Sequence, residues 1–201
     1  MRAFVTAMES EAAAVRPRLR PGERLFVSGV GKVHAAAATM RAICEGAGDI
    51  WNVGVCGGFG AAMAPGEIYG VRRAVQYDFD LSQVNGTAIG VLDGAATPYV
   101  ELATPPELER FKWFRGWRTL ATGDRFTNDE GDYRLVRDTL GAELRDMEGA
   151  AVAQVCRDCG VSCVALKCVA NVVSGGSMTG QYAANRAAAL AALAAAMKEM
   201  P

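Results

Sequence analysis

Carboxylates provide the acid–base chemistry that this sequence offers. Histidine occurs once, as His34 in an alanine-rich stretch, so a multi-histidine metal site is impossible and a structural role is the simpler interpretation. No G-x-S-x-G nucleophile elbow is present. Cys156 and Cys159 have the spacing of half a zinc site, but no second half follows, so we expect reduced cysteines and no bound metal. Acidic residues in short polar segments remain, above all Glu11 and Glu148.

Two glycine-rich segments have the composition of phosphate-binding loops, but their spacing does not fit. For segment 28–32 to match G-x-x-x-x-G-K-[ST], Phe26 would have to be glycine and Val33 a serine or threonine. Segment 54–60 does not follow G-x-G-x-x-G. The sequence therefore predicts no nucleotide cofactor.

Apolar runs alternate along the chain with helix-like stretches, which predicts a parallel α/β sheet covered by helices on both faces. No linker or repeat divides the chain, so residues 1–201 are expected to form a single domain. The predicted strands are 3–7, 24–27, 50–55, 67–77, 87–92, 119–122 and 163–170, and the predicted helices are 9–19, 33–45, 130–140, 147–159 and 181–198.

Ligands of open α/β sheets bind outside the carboxyl ends of the strands. Polar and glycine-rich residues follow several predicted strands, which favours a site at that edge, although loops are polar in any protein. These segments are 8–11, 28–32, 54–60, 122–127, 146–148 and 170–173.

Composition and charge exclude several classes of partner. The 201 residues are 51% hydrophobic and 21% charged, as expected for one globular domain. The net charge is −1 and no dense basic cluster occurs, so nucleic acid is not a predicted partner. The longest apolar run, 187–197, is too short for a membrane span, which needs about 20 residues. Acidic residues directly follow one short apolar run at the N-terminus, unlike a signal peptide, so we expect a cytoplasmic protein.

Five segments, in order along most of the chain, carry a resemblance to a known family. They are Ala7-Met-Glu-Ser-Glu11, Ser28-Gly-Val-Gly-Lys-Val33, Asn52-Val-Gly-Val-Cys-Gly-Gly58, Thr122-Gly-Asp-Arg-Phe126 and Asp146-Met-Glu-Gly149. The chain resembles the purine nucleoside phosphorylase superfamily, and within it the 5'-methylthioadenosine/S-adenosylhomocysteine nucleosidases. The resemblance implies a three-layer sandwich around a mixed, mostly parallel sheet, a homodimer, hydrolysis of purine nucleosides, and no cofactor.

The same resemblance assigns roles to individual residues. Glu11 matches the glutamate that activates water, although it is also a reasonable first-turn helix carboxylate. Glu148 matches the glutamate that binds the ribose hydroxyls. Lys167 matches an arginine near the water, whose planar fork a lysine cannot reproduce. Met147 would lie against the sugar and Phe126 would stack on the base, with ordinary core packing as the alternative for both. Val55, Gly57 and Thr127 complete the predicted substrate-binding set, and Asn171 is the third predicted catalytic residue.

Three features favour water over phosphate as the nucleophile. Related phosphorylases carry an R-V-G-S motif, in which Asn52 here replaces the arginine and Val55 the serine. Their early Gly-Asp-Pro turn is replaced by Met8-Glu-Ser-Glu11, whose carboxylates would repel phosphate. A phosphate-dependent phosphorylase remains an alternative.

Asn171 leaves open which purine base the substrate carries. In methylthioadenosine-type nucleosidases this position is an aspartate that protonates N7 of adenine, whereas an amide delivers no proton. Asparagine accepts from N7–H and donates to O6, which suits a 6-oxopurine and resembles futalosine hydrolases. Against this, Tyr77-Asp-Phe-Asp80 is closer to the methylthioadenosine group. A nucleoside-binding protein without catalytic activity is the third alternative, supported by the lost proton donor and opposed by Glu11 and Glu148.

Overall fold

The structure is a computed structural model, which describes all residues except 61, 93, 127–129, 174–177 and 201. The strands are β1 (Arg2–Thr6), β2 (Arg24–Val27), β3 (Asp49–Gly58), β4 (Ile68–Gln76), β5 (Val100–Glu101), β6 (Phe114–Thr122), β7 (Leu144–Asp146) and β8 (Ser162–Val172). The helices are α1 (Glu9–Val15), α2 (Lys32–Cys44), α3 (Ser82–Asn85), α4 (Glu130–Tyr133), α5 (Gly149–Asp158) and α6 (Met178–Glu199). Short 3-10 turns cover Arg16–Arg18 and Pro106–Arg110, and a π-helical turn, Arg134–Thr139, continues α4.

The eight strands form one mixed sheet in which parallel pairs predominate. β2, β1 and β3 are parallel neighbours, as are β3 and β8, β4 and β6, and β6 and β7. β3–β7, β4–β8 and β4–β5 are antiparallel. The pairings β3–β8–β4–β6–β7–β3 close into a ring, which the sequence did not predict. The ring gathers the ends of five strands around one space.

Two apolar layers cover the sheet, and β1 contributes to both because alternate residues point to opposite faces. Ala3 and Val5 pack in the layer that includes α2 and α5. Phe4 packs in the layer that includes α1 and α6, with Leu193 fully buried there. The predicted helix–sheet–helix sandwich is thereby confirmed.

Several local predictions were wrong or incomplete. β6 begins at Phe114, five residues before the predicted strand, and α1 ends at Val15 rather than at residue 19. Residues 87–92 contain a turn at 89–90 and no strand, and Gly86 and Gly90 have positive φ angles that interrupt extended structure. β3 was predicted to end at residue 55, because the glycines that follow are typical of a turn. It continues to Gly58, since β8 and β7 pair with it on its two sides. β7, with three residues, is too short to show a periodic pattern. Among the described helices, none is both long and apolar enough to cross a lipid bilayer.

Candidate active site

A cavity of about 320 Å3 opens where strands of the ring end. Seven of the predicted site residues line it: Glu11, Val55, Gly57, Phe126, Met147, Glu148 and Asn171. Lys167 lies behind the lining residues, and Thr127 lies outside the described residues. Segments that are distant in sequence therefore meet here because parallel strands bring their carboxyl ends together.

Glu11 is fixed by backbone groups of β3 and of the segment that follows β1. As the third residue of α1, it folds back so that its Oε2 accepts hydrogen bonds from the N–H groups of Ala7 (2.9 Å) and Met8 (3.0 Å). Its Oε1 accepts from the Val55 N–H in β3 at 2.8 Å. A Cβ on Gly54 would stand 2.6 Å from Oε1, so the glycine leaves the room that this carboxylate occupies. Three backbone donors thus hold the carboxylate in one orientation.

The electrostatic environment of Glu11 raises the pKa of its carboxyl group. Burial is the dominant cause, since only 2% of the residue is exposed. The three backbone hydrogen bonds and the positive charge of Lys167 act in the opposite direction without cancelling it. A carboxylate with a raised pKa is a stronger base than one in water, as activation of a water molecule requires.

Glu148 faces the same cavity from the start of α5. Its Oε1 accepts a hydrogen bond of 2.8 Å from the N–H of Gly31, which has a φ of 101° that favours glycine. Burial, followed by repulsion from Asp146, raises the pKa of Glu148 to about 7. Its remaining acceptor positions can bind hydroxyl groups of a ligand.

A buried ion pair supports the floor of the cavity. Lys167 Nζ lies 2.7 Å from Asp146 Oδ2, and both side chains are almost completely buried. Asp146 also accepts from the Thr122 hydroxyl at 2.6 Å and from the Gly149 N–H at 2.9 Å. Burial acts to lower the pKa of Lys167, but attraction to Asp146 and Glu148 raises it above the ordinary value. The structure therefore pairs Lys167 directly with Asp146, and its charge reaches the cavity through space.

Aromatic and apolar side chains form the mouth and the opposite wall. Phe126 is about half exposed, and its ring lies 5.7 Å from that of Tyr182 in an edge-on arrangement. Met147 and Val55 add apolar surface beside the two glutamates. Such a wall suits the flat face of an aromatic base and the carbon face of a sugar.

Asn171 lines the cavity near the end of β8, where this strand still pairs with β3. It pairs with Gly57, where the register shifts by one residue. A Cβ on Gly57 would stand 3.1 Å from Asn171 Nδ2, so the amide packs directly over the glycine. An amide here both donates and accepts, but supplies no proton.

The family follows from comparison with known proteins. The profile of the phosphorylase superfamily matches residues 20–200. The chain belongs to the phosphorylase superfamily. The resemblance drawn from its motifs is thereby confirmed.

Relatives of this superfamily member include nucleosidases. A 5'-methylthioadenosine/S-adenosylhomocysteine nucleosidase of Geobacillus kaustophilus is 29% identical over 199 residues, covering 85% of this chain and 83% of the relative. A Helicobacter pylori structure of that nucleosidase, complexed with a substituted pyrrolidin-3-ol, has a TM-score of 0.86 at 19% identity and covers 98% of this chain and 95% of its own. A structure named futalosine hydrolase from Helicobacter pylori gives the same values. At that identity the two structures establish the fold.

Asn52 is the residue that the sequence resemblance places where related phosphorylases carry an arginine. Asn52 is buried in β3, and its Nδ2 donates to the Val5 carbonyl at 3.1 Å, so it serves the sheet rather than the cavity. Outside the predicted segments, the cavity is also lined by Arg145, Thr179 and Tyr182, which sequence reasoning missed. Arg145 belongs to the unpredicted strand β7, and the other two lie near the start of α6.

Proposed function

We propose that this protein hydrolyses purine nucleosides, using water to break the bond between the base and C1' of the ribose. The main support is the position of the Glu11 carboxylate, which is buried, is held by three backbone donors and has a raised pKa. Glu148 faces the same cavity and offers acceptors for ribose hydroxyls. The nucleosidase names of the relatives support this assignment.

The reaction divides between the two ends of the cavity. The C1'–N9 bond breaks with its electron pair going to the base, while positive charge develops on the ribose. Glu148 and Glu11 stabilise that charge electrostatically. Glu11 removes a proton from water as the oxygen bonds to C1', and one proton returns to the departing base. The sum is nucleoside plus water giving ribose and free base.

Water is favoured over phosphate because negative charge surrounds the position of the nucleophile. Glu11, Glu148 and Asp146 all lie at the cavity, and Lys167 is engaged directly by Asp146. Asn52, at the position of the phosphorylase arginine, is used by the sheet. A phosphate dianion at Glu11 would meet a carboxylate of like charge.

A 6-oxopurine nucleoside, as cleaved by a futalosine hydrolase-like enzyme, is the second candidate substrate class beside 5'-methylthioadenosine. Asn171 is the observation that favours it, since the amide matches N7–H and O6 together but protonates neither. Asn171→Asp is expected to shift activity toward adenine nucleosides. An unchanged base preference would exclude this role for Asn171.

The assay is free-base release, followed by chromatography, from methylthioadenosine, S-adenosylhomocysteine, inosine and futalosine, with and without phosphate. We expect release that does not need phosphate and falls about 10²–10⁴-fold in Glu11→Ala. Glu9→Ala is the matched control, because Glu9 lies in the same helix turn with 72% of its side chain exposed. Release only with phosphate would identify a phosphorylase, and binding without release a non-catalytic nucleoside-binding protein.

We also infer a homodimer, as the superfamily resemblance suggests, and a cytoplasmic location. Exposed apolar residues along α2 support the contact: Val33 is 78% exposed and Met40 is 42% exposed. Val30, which lines the cavity, lies just before the helix. A second copy seated there would cover both the apolar surface and the open side of the cavity. Light scattering after size exclusion should give twice the chain mass, and Val33→Lys should give the monomer. A monomeric parent protein would refute the dimer.

A further inference from the structure

A row of three residues crosses the sheet at the end of the cavity that Asn171 occupies. Gly57 of β3 pairs with Arg145 of β7 on one side and with Asn171 of β8 on the other. Directly paired residues on neighbouring strands point to the same face of a sheet. Because Gly57 has no side chain, no Cβ separates Arg145 from the Asn171 amide, which packs over the glycine.

That space belongs to the cavity. A hollow of about 30 Å3 is lined by both side chains together with Gly57, Arg125, Phe126, Asp146 and Met147, and all of these except Arg125 also line the main cavity. Arg125 is paired with Asp132 at 2.6 Å. Arg145 is mostly buried, so its charge acts in surroundings from which water is largely excluded. A ligand in the main cavity can therefore meet Arg145 and Asn171 along one edge.

The chemistry of the row differs for the two kinds of purine. A guanidinium group is always protonated and only donates hydrogen bonds. The carbonyl O6 of a 6-oxopurine accepts such a bond, whereas the exocyclic amine of adenine is itself a donor. The departing base carries negative charge as the C1'–N9 bond breaks, and in a 6-oxopurine that charge spreads onto O6. A fixed cation at O6 stabilises this charge where Asn171 supplies no proton.

We propose that Arg145, acting beside Asn171 across Gly57, selects purines that carry a carbonyl on the six-membered ring and stabilises the negative charge of that base as it leaves. This inference rests on the proposed nucleosidase function. The electron pair of the C1'–N9 bond passes to the base, and the proton that neutralises the base comes from the water consumed in the reaction.

The test compares inosine with adenosine as substrates of the wild-type protein, Arg145→Met and Arg145→Lys. The wild type should prefer inosine in kcat/KM. Arg145→Met should lower kcat/KM for inosine about ten- to hundredfold, the value of a hydrogen bond to a charged group, with adenosine changed only a few-fold. Arg145→Lys, which keeps the charge, should recover part of the loss. Arg157→Met removes an exposed arginine at the far end of α5 and is the control for lost charge.

Several results would overturn the inference. A wild-type preference for adenosine would overturn it even if Arg145→Met failed to fold. Equal losses of kcat/KM for inosine and adenosine in a folded Arg145→Met variant would also overturn it, because a purely structural role lowers the two values alike. If no nucleoside is cleaved, the proposed function fails, and calorimetry with the free bases tests Arg145 separately. Tighter binding of hypoxanthine than adenine, lost in Arg145→Met, would support the inference, and equal binding would overturn it.

Discussion

Gly54→Ala tests whether catalysis depends on the position of Glu11. The added Cβ would stand 2.6 Å from Glu11 Oε1, whereas ordinary contact begins near 3.4 Å, so the carboxylate must move by about 0.8 Å. That movement also weakens the 2.8 Å hydrogen bond from the Val55 N–H. Displacement of a catalytic group by about 1 Å costs on the order of 10²-fold. We therefore expect kcat to fall about 10- to 100-fold in this variant.

Steady-state base release, with circular dichroism to confirm folding, measures the effect. Gly48→Ala is the matched control, because its Cβ meets nothing within 4 Å and neither glycine has a positive φ. The decisive comparison is the double variant Gly54→Ala/Glu11→Ala. If the glycine acts through Glu11, the double variant should be no slower than Glu11→Ala. An additional tenfold loss in the double variant would refute the reasoning.

Four further predictions concern charge and packing. Because burial raises the pKa of Glu148 to about 7, kcat/KM should fall as the pH drops below 7, and Glu148→Gln should lose that dependence; an unchanged profile would count against ionised Glu148. The same raised pKa means that Glu148 contributes stability below about pH 4.5, and that this stability is lost as the pH rises through 7. The free energy of unfolding in urea should therefore vary less between these pH values in Glu148→Gln than in the wild type. Lys167→Met leaves Asp146 buried without its 2.7 Å partner and should cost about 3–5 kcal/mol in unfolding free energy, whereas exposed Lys198→Met should cost almost nothing. Leu193→Ala should cost about 2–5 kcal/mol, and a loss below about 1 kcal/mol would contradict its tight packing against the sheet.

Sequence patterns predicted long elements well and short ones poorly, for physical reasons. β8 and α6 show continuous apolar or helix-forming runs, and both lie close to their predicted bounds. β7 has three residues, and its pairing with β3 and β6 depends on contacts that no local pattern records. The strand predicted at 87–92 has suitable residue types but pairs with no strand among the described residues.

The residues of the candidate site also differ in how well the sequence predicted them. Glu11 and Glu148 were predicted because they stand in recognisable motifs at strand ends, and the structure brings both to one cavity. Arg145 was missed because its relation to Asn171 exists only through Gly57, a pairing between three strands distant in sequence. Lys167 was predicted near the water, but its closest contact is Asp146, a partner that requires knowledge of the ring of strands.

The two glutamates differ in how much of their hydrogen-bonding capacity the protein itself fills, which predicts a proton exchange on binding. Three backbone N–H groups donate to Glu11, whereas one, from Gly31, donates to Glu148. Hydrogen bonds to a carboxylate lower its pKa, so ribose hydroxyls that donate to Glu148 should lower a value of about 7. At pH 7 the empty protein would then release up to about half a proton on binding a ribonucleoside. Calorimetry in buffers of different ionisation enthalpy measures this release, and Glu11→Ala slows turnover so that binding can be measured before the base is released. A binding enthalpy independent of the buffer would show that the ribose hydroxyls do not bind ionised Glu148.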